Sequence, residues 1–377
     1  MSPNEILKHF NGRRDAMIDA IRALVDIESP SGNIEQSVAM VDRIVEMFRE
    51  LPVDIEIERY GAEEFGHHVI VRAFASSEKC NLLLGHTDTV HPVGTCEKNP
   101  TRIEGDRFYG CGIFDMKANI VLMVEALRFF ADGGITPSKP INILLSCDEE
   151  VGSKTGREHV EREAANSGAC YVFEPSLDGK VKTGRKGTGM FRLIAHGISA
   201  HAGLEPEKGA SAVLEISRQI ERLHELNNVD AGTTVNVTTV KGGTATNVIP
   251  EYAECDIDVR FTSAAEARRV EEAIRSLTPI DSRVSLTVEG EINRPPMERS
   301  HSVVELFEEA RDVAASFGYE LDEAQVGGGS DGNFVAALGV PVLDGLGIAG
   351  AGAHTLHEHI LISDIAKRAT LVTLLLS

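Results

Sequence analysis

The chain has 377 residues, 42% of them hydrophobic, and a formal net charge of -21 at pH 7. That length exceeds what one compact core usually supports, so two domains are expected. The acidic balance excludes nucleic acid and anionic membranes as partners, since both require clustered Lys and Arg.

No basic segment followed by an apolar run opens the sequence, and no stretch is apolar for long enough to span a bilayer. Six cysteines, widely spaced and without a CxxC pair, read as free and mostly buried thiols of a cytoplasmic protein. Helix-spaced apolar positions over 4–26 and 35–51 are separated by the turn-forming SPSGN. Short apolar runs at 69–74, 82–84, 141–145 and 170–173 predict strands covered on both faces, with a helix over 117–130 among them. From about Thr183 the pattern changes. A strand at 190–196 is followed by a helix over 210–226, with Val213, Ile216, Ile220 and Leu223 on one face. Alternating strands at 233–241 and 251–262, a charged helix over 264–277 and a strand at 283–289 complete a β-α-β-β-α-β order, that of a ferredoxin-like sandwich. After INRPPM the larger pattern resumes with a helix over 302–317, a Gly-rich turn, a strand at 340–343 and a closing helix. The expected fold is α/β. Residues 1–182 and 296–377 form a large domain around a mostly parallel sheet, and 183–295 an inserted, smaller lid or dimerisation domain.

Acidic and imidazole groups stand where those strands end. His86 and Asp88 follow Leu82, Leu83 and Leu84; Asp115 precedes a helix in GCGIFDMK; Asp148, Glu149 and Glu150 follow INILLSC; Glu174 follows CYVF; His354 lies in GAGAHTLHEH. Open α/β sheets collect ligands outside the carboxyl ends of their strands. Burying several carboxylates together costs several kcal/mol each unless cations compensate. No cluster of Lys or Arg accompanies them, so a divalent metal is the simplest compensating charge, and mixed His and carboxylate ligation suits zinc. Each motif alone is weak. A strand-end HxD is often a satisfied core pair, and DEE is often a solvated helix N-terminus. The stretch Gly327 to Ser330 lacks the Lys of a phosphate-binding loop and reads as a backbone wall of a cleft. His67, His68, His224 and His301 read as ordinary surface or strand residues.

Taken together, LLLGHTDTVHPVGT, GCGIFDMKANI, SCDEEVGS, VFEPS, HGISAHAG, GGTATNVIP and AHTLHEH occur in an order that resembles the zinc-dependent metallopeptidase family. That family includes glutamate carboxypeptidase, acetylornithine deacetylase, succinyl-diaminopimelate desuccinylase, aminoacylase and peptidase T, and the sequence looks nearest to the glutamate carboxypeptidase branch. The resemblance implies two Zn2+ ions per subunit, with Co2+ or Mn2+ as substitutes, bridged by Asp115 and a water or hydroxide. His86 and Glu174 would complete one site, Glu150 and His354 the other. In members of that family the ligand stands four residues before a Glu, which implies His354 over His357 and His359. Asp88 would orient His86, Glu149 would be the general base, and a non-proline cis peptide would follow Asp115. His201 of SAHAG would reach the neighbouring active site of a homodimer and hold the carbonyl oxygen. Asn247, Arg260 and Arg294, with Gly328, Gly329 and Ser330 of the Gly-rich turn, would meet the substrate. Members commonly carry Trp and Pro where this chain has Cys96 and Cys111, and it has no Trp at all.

The implied reaction is hydrolysis of the amide bond of a small dipeptide or N-acyl amino acid with a free carboxylate. An N-acyl amino acid deacylase, of the acetylornithine deacetylase or succinyl-diaminopimelate desuccinylase type, is the alternative. A binding module without turnover is opposed by the intact Glu149, and a phosphate-binding protein by the missing loop Lys.

Overall fold

The computed structural model describes all 377 residues, Met1–Ser377. They divide into two compact units. One comprises Met1–Gly184, Arg299–Gln325 and Ser330–Ser377, the other Arg185–Glu298 and Val326–Gly329.

The larger unit is built on a six-stranded sheet, in the order Ile55–Gly61, His67–Ala73, Ile141–Ser146, Cys80–His86, Ser167–Val172, Val342–Leu343. The Cys80–His86 strand is buried at every residue and runs parallel to both neighbours, Ile141–Ser146 and Ser167–Val172. All three therefore deliver their carboxyl ends to one edge, which is why acids and a histidine can gather there. The first two strands are antiparallel additions. Helices Pro3–Val25, Ala118–Gly133 and Ile362–Leu376 pack on one another, and their apolar faces join those of the sheet in one large core. Asn33 caps the Ile34–Arg49 helix by accepting from the Gln36 amide, the bond that its place after a turn predicts.

A second, four-stranded sheet was not visible in the apolar pattern because its strands are two or three residues long. It runs Gly350–Ala351, His359–Leu361, Arg107–Tyr109, Arg102–Glu104, and joins a late hairpin to an early one.

In the smaller unit the strands Gly187–His196, Thr234–Gly242, Tyr252–Phe261 and Ser285–Arg294 form an antiparallel sheet. The helices Ala212–His224 and Ala264–Arg275 supply apolar side chains to its core. Burial in Tyr252–Phe261 alternates residue by residue, as a strand covered on one face requires. Val213 departs from the sequence reading: it is exposed, and the buried face of its helix is set by Ala212, Glu215, Ile216, Gln219 and Leu223. Glu215 can take an inward place because its carboxylate accepts from Gln219 Nε2 and from the Ile280 and Asp281 amides. No helix of the chain is long and apolar enough to cross a membrane.

Candidate metal centre

Residues from the ends of the three parallel strands and from the two hairpins meet in the larger unit. The His86 ring is buried, with Nε2 3.0 Å from Asp115 Oδ1 and 3.4 Å from Glu174 Oε1. His354 Nε2 lies 3.1 Å from Glu150 Oε2 and 3.5 Å from Asp115 Oδ2. The two oxygens of Asp115 thus face two different histidines. The small second sheet explains the meeting: it pairs His359 with Tyr109, setting the hairpin that bears His354 beside the loop that bears Asp115. His354 has φ +65°, a left-handed conformation uncommon for a side-chain-bearing residue and often found where function fixes an orientation. The Asp115–Met116 peptide is cis.

Charge shows what the centre accepts. Burial works against a charged His86, yet bonds to Asp115, Asp88 and Glu174 hold its pKa well above the ordinary value. Asp115 and Glu150 push His354 up to about 10. Burial raises Glu150, and its Oε1 is buried with no hydrogen-bond partner. Carboxylates that raise the pKa of both imidazoles, with one buried carboxylate oxygen left without a partner, mark a site rich in negative charge. The donor set, two imidazoles and carboxylates with ligand atoms of His86, Asp115 and Glu150 all within 4.8 Å, fits divalent cations. Ligand atoms of Glu149, His86 and Glu174 likewise lie within 4.8 Å of one another.

The substrate residues expected in the smaller unit divide into two groups. His201 is exposed, and its Nδ1 accepts from the Gly203 and Leu204 amides, each at 3.1 Å. That leaves the proton on Nε2, so the free edge of the ring is a donor. Asn247 lies beside it, its carbonyl accepting from the Ala202 amide. Arg260 and Arg294 both align with Thr188, in one row across three strands. Arg260 is held by Asp258, Nη2 to Oδ2 at 2.9 Å, the ion pair that a guanidinium makes with any nearby carboxylate. Arg294 is buried. The Gly328 and Gly329 carbonyls accept from Arg185, and open space beside Gly328 would admit a Cβ, contrary to a tight glycine wall. Ser330, in the larger unit, is fully buried, and its hydroxyl donates to Asp344 at 2.6 Å; it anchors the turn instead of facing a ligand.

Residues 82–377 match the model of peptidase family M20/M25/M40. The chain belongs to that family. Carboxypeptidase G2 of Pseudomonas sp. (strain RS-16) is 28% identical over 375 residues, covering 97% of this chain and 89% of its own. A succinyl-diaminopimelate desuccinylase of Delftia acidovorans is 30% identical over 308 residues, covering 75% and 77%. Among solved structures, aminopeptidase PepT of Bacillus cereus superposes with a TM-score of 0.80 at 23% identity, over 96% of this chain and 98% of that one. M20 peptidases are metal-dependent hydrolases, so this chain is a hydrolytic enzyme, and the His, Asp and Glu cluster just described could hold a metal ion.

Several residues that support the M20 centre escaped the sequence reading. Glu358, expected only as a landmark for His354, is 1% exposed and receives the Gly112, Phe114 and Asp115 amides at 2.9 Å and His91 Nε2 at 2.8 Å. It fixes the loop from which Asp115 projects. Asn119, fully buried, donates to the Phe114 and Phe173 carbonyls and accepts from the Ile348 amide, tying together the segments that lead to Asp115, Glu174 and His354. An Asn in the first turn of so apolar a helix was the available signal. Asp88 also does more than expected. Its carboxylate accepts from the Glu149 and Glu150 amides at 3.2 Å and from Ser31 at 2.6 Å. His86 Nδ1 makes its shortest bond by donating to the Asp88 main-chain carbonyl at 2.9 Å, with the carboxylate at 3.4 Å. Asp148 faces away from the cluster and binds Thr155 and Gly156 at the start of a helix.

Two results are expected here. His354→Ala lowers metal content sharply whereas His357→Ala, at an exposed side chain outside the cluster, leaves it unchanged; elemental analysis of both proteins decides. The Glu358 bond raises the His91 pKa. A raised folded-state value makes this pair's stabilisation complete below the ordinary His pKa of about 6.5 and progressively lost as pH rises through the folded value. The stability difference between the natural protein and His91→Gln, measured by denaturant titration, therefore narrows from pH 6 towards pH 8.

Proposed function

We propose that the enzyme hydrolyses the amide bond of a small dipeptide or N-acyl amino acid that carries a free carboxylate, in the manner of a glutamate carboxypeptidase. The observation that carries this reading is the Asp115 carboxylate presented to two histidines, with Glu149 beside the cluster. His86, Asp115 and Glu174 would hold one ion, and Asp115, Glu150 and His354 a second, zinc in the first instance and cobalt or manganese as substitutes. When bound, such a pair lowers the pKa of a coordinated water to about 7 and polarises the scissile carbonyl.

The chain's own groups supply the rest. Glu149 takes the proton from the attacking water and returns it to the departing nitrogen, one positioned carboxylate serving as base and then acid. Asp88 fixes the backbone from which Glu149 projects. His201 offers Nε2–H to the developing oxyanion, and Asn247 stands next to it. Arg294, with Arg260, offers the cationic row that a substrate carboxylate needs on so acidic a protein. Two copies pair through the smaller unit, whose sheet ends in the edge strands Thr234–Gly242 and Ser285–Arg294. The partner subunit's His201 then serves each centre. Free thiols throughout support a reducing, cytoplasmic setting.

The desuccinylase relatives favour a second reading, deacylation of N-acyl amino acids. A panel run on zinc-loaded enzyme separates them. Turnover of dipeptides with C-terminal Glu supports the first reading; turnover confined to N-acetyl or N-succinyl amino acids selects the second. No hydrolysis of either class by protein with its metals bound refutes both.

A further inference from the structure

The sequence reading set His68 aside as an ordinary strand or surface residue, yet its ring is fully buried against the turn that leads into Glu149 and Glu150. Both ring nitrogens are engaged there. Nδ1 accepts from the Cys147 amide at 3.2 Å, so the proton of a neutral ring stands on Nε2 and is donated to Thr155 Oγ1 at 3.0 Å. The Thr155 hydroxyl donates in turn to Asp148 Oδ2 at 2.8 Å, and the same oxygen receives the Thr155 amide at 2.7 Å and the Gly156 amide at 3.3 Å. Cys147 and Asp148 are neighbours in the chain, so these bonds close a ring through His68 and Thr155. Each link runs in one direction, and the Nε2–H tautomer satisfies all of them. Burial lowers the His68 pKa, which keeps the imidazole neutral. The ring of bonds is also tightly packed. A Cβ at Gly156 would come within 2.7 Å of Asp148 Oδ1 and 3.4 Å of His68 Cε1, so neither group has room to shift towards the Gly156–Ala164 helix.

We propose that His68, as the neutral Nε2–H tautomer, is a positioning residue that sets the Cys147–Glu150 turn so that Glu149 meets the attacking water, a role that rests on the reading of Glu149 as the general base. Asp88 holds the Glu149 and Glu150 amides, and His68 holds the amide two residues before Glu149. Removing the imidazole leaves the buried Cys147 amide without an acceptor, and the turn moves to find another. A base displaced by about 1 Å loses about 10²-fold in rate. Glu150 is one of five proposed ligands, so the metals survive such a shift.

The test compares the zinc-loaded natural enzyme with His68→Phe, His68→Asn and Thr155→Val, on whichever C-terminal Glu dipeptide or N-acyl amino acid the natural enzyme turns over. His68→Phe is expected to lose about 10²-fold in kcat with KM and zinc content unchanged. His68→Asn keeps an acceptor at the place of Nδ1 and recovers most of that loss. Thr155→Val removes only the hydroxyl link and lowers kcat in the same sense. The His68→Phe, Thr155→Val double variant loses no more than His68→Phe alone, as members of one chain of bonds do. Hydrogen exchange at the Cys147 amide, read without substrate, quickens in His68→Phe and stays slow in His68→Asn. An unchanged kcat, equal losses in His68→Phe and His68→Asn, loss of zinc, or unchanged exchange at Cys147 overturns the proposal. Where His68→Phe does not fold, a Thr155→Val enzyme of natural kcat overturns it. Full turnover by Glu149→Gln refutes the base assignment instead, and the exchange result still reads the His68 bond.

Discussion

Glu149→Gln loses at least about 10²-fold in turnover while keeping its metal content and its fold. Asp88 accepts both amides of the Glu149–Glu150 pair, so the backbone there is fixed whichever side chain is changed. The side chains then part. Glu150 meets His354 at 3.1 Å, and Glu149 lies with His86 and Glu174. Gln matches Glu in shape and removes only the basic oxygen, so a loss of rate without loss of metal isolates proton transfer. If Glu149→Gln releases metal and Glu150→Gln retains it, the two roles are exchanged.

His201→Ala is expected to lose about 10²- to 10³-fold in rate, the usual effect of removing one preorganised oxyanion donor, with metals still bound. The more telling result comes from mixing it with Glu149→Gln. Each homodimer is inactive. In a hybrid, one centre combines an intact Glu149 with the partner subunit's intact His201. Random exchange makes half the dimers hybrid, so activity returns to about a quarter of the natural level. Absence of recovery, with exchange verified by native mass spectrometry, shows that His201 serves its own chain or none.

The sequence was most informative where long periodic segments or apolar runs met chemistry. The parallel strands were read from Leu82 to Leu84, Ile141 to Leu145 and Cys170 to Phe173, and their ends hold His86, Glu150 and Glu174. The βαββαβ order of the smaller unit was equally plain, because its helices and strands are long enough to show their periods. The strand Ile55–Gly61 went unread, since charged residues occupy its exposed face at a sheet edge. The Gly156–Ala164 helix went unread because its composition is polar and its buried residues few. The short sheet that brings His354 to Asp115 leaves no periodic trace at all, and neither does the left-handed backbone of His354. Glu358 and Asn119 were hidden for another reason. Their work is to satisfy main-chain groups of distant segments, and main-chain geometry is what a linear reading lacks. Ser330 shows the converse: a polar residue in a Gly-rich turn looked available for a substrate, and its hydroxyl is spent on Asp344.

Asp115 is proposed as the shared ligand of two ions. Elemental analysis by plasma mass spectrometry of protein saturated with zinc and freed of excess, set beside Asp115→Asn treated identically, tests it most directly. Two zinc ions per natural chain and loss of both in Asp115→Asn is the expected result; a single ion per chain, or an Asp115→Asn protein that keeps its full complement, contradicts it.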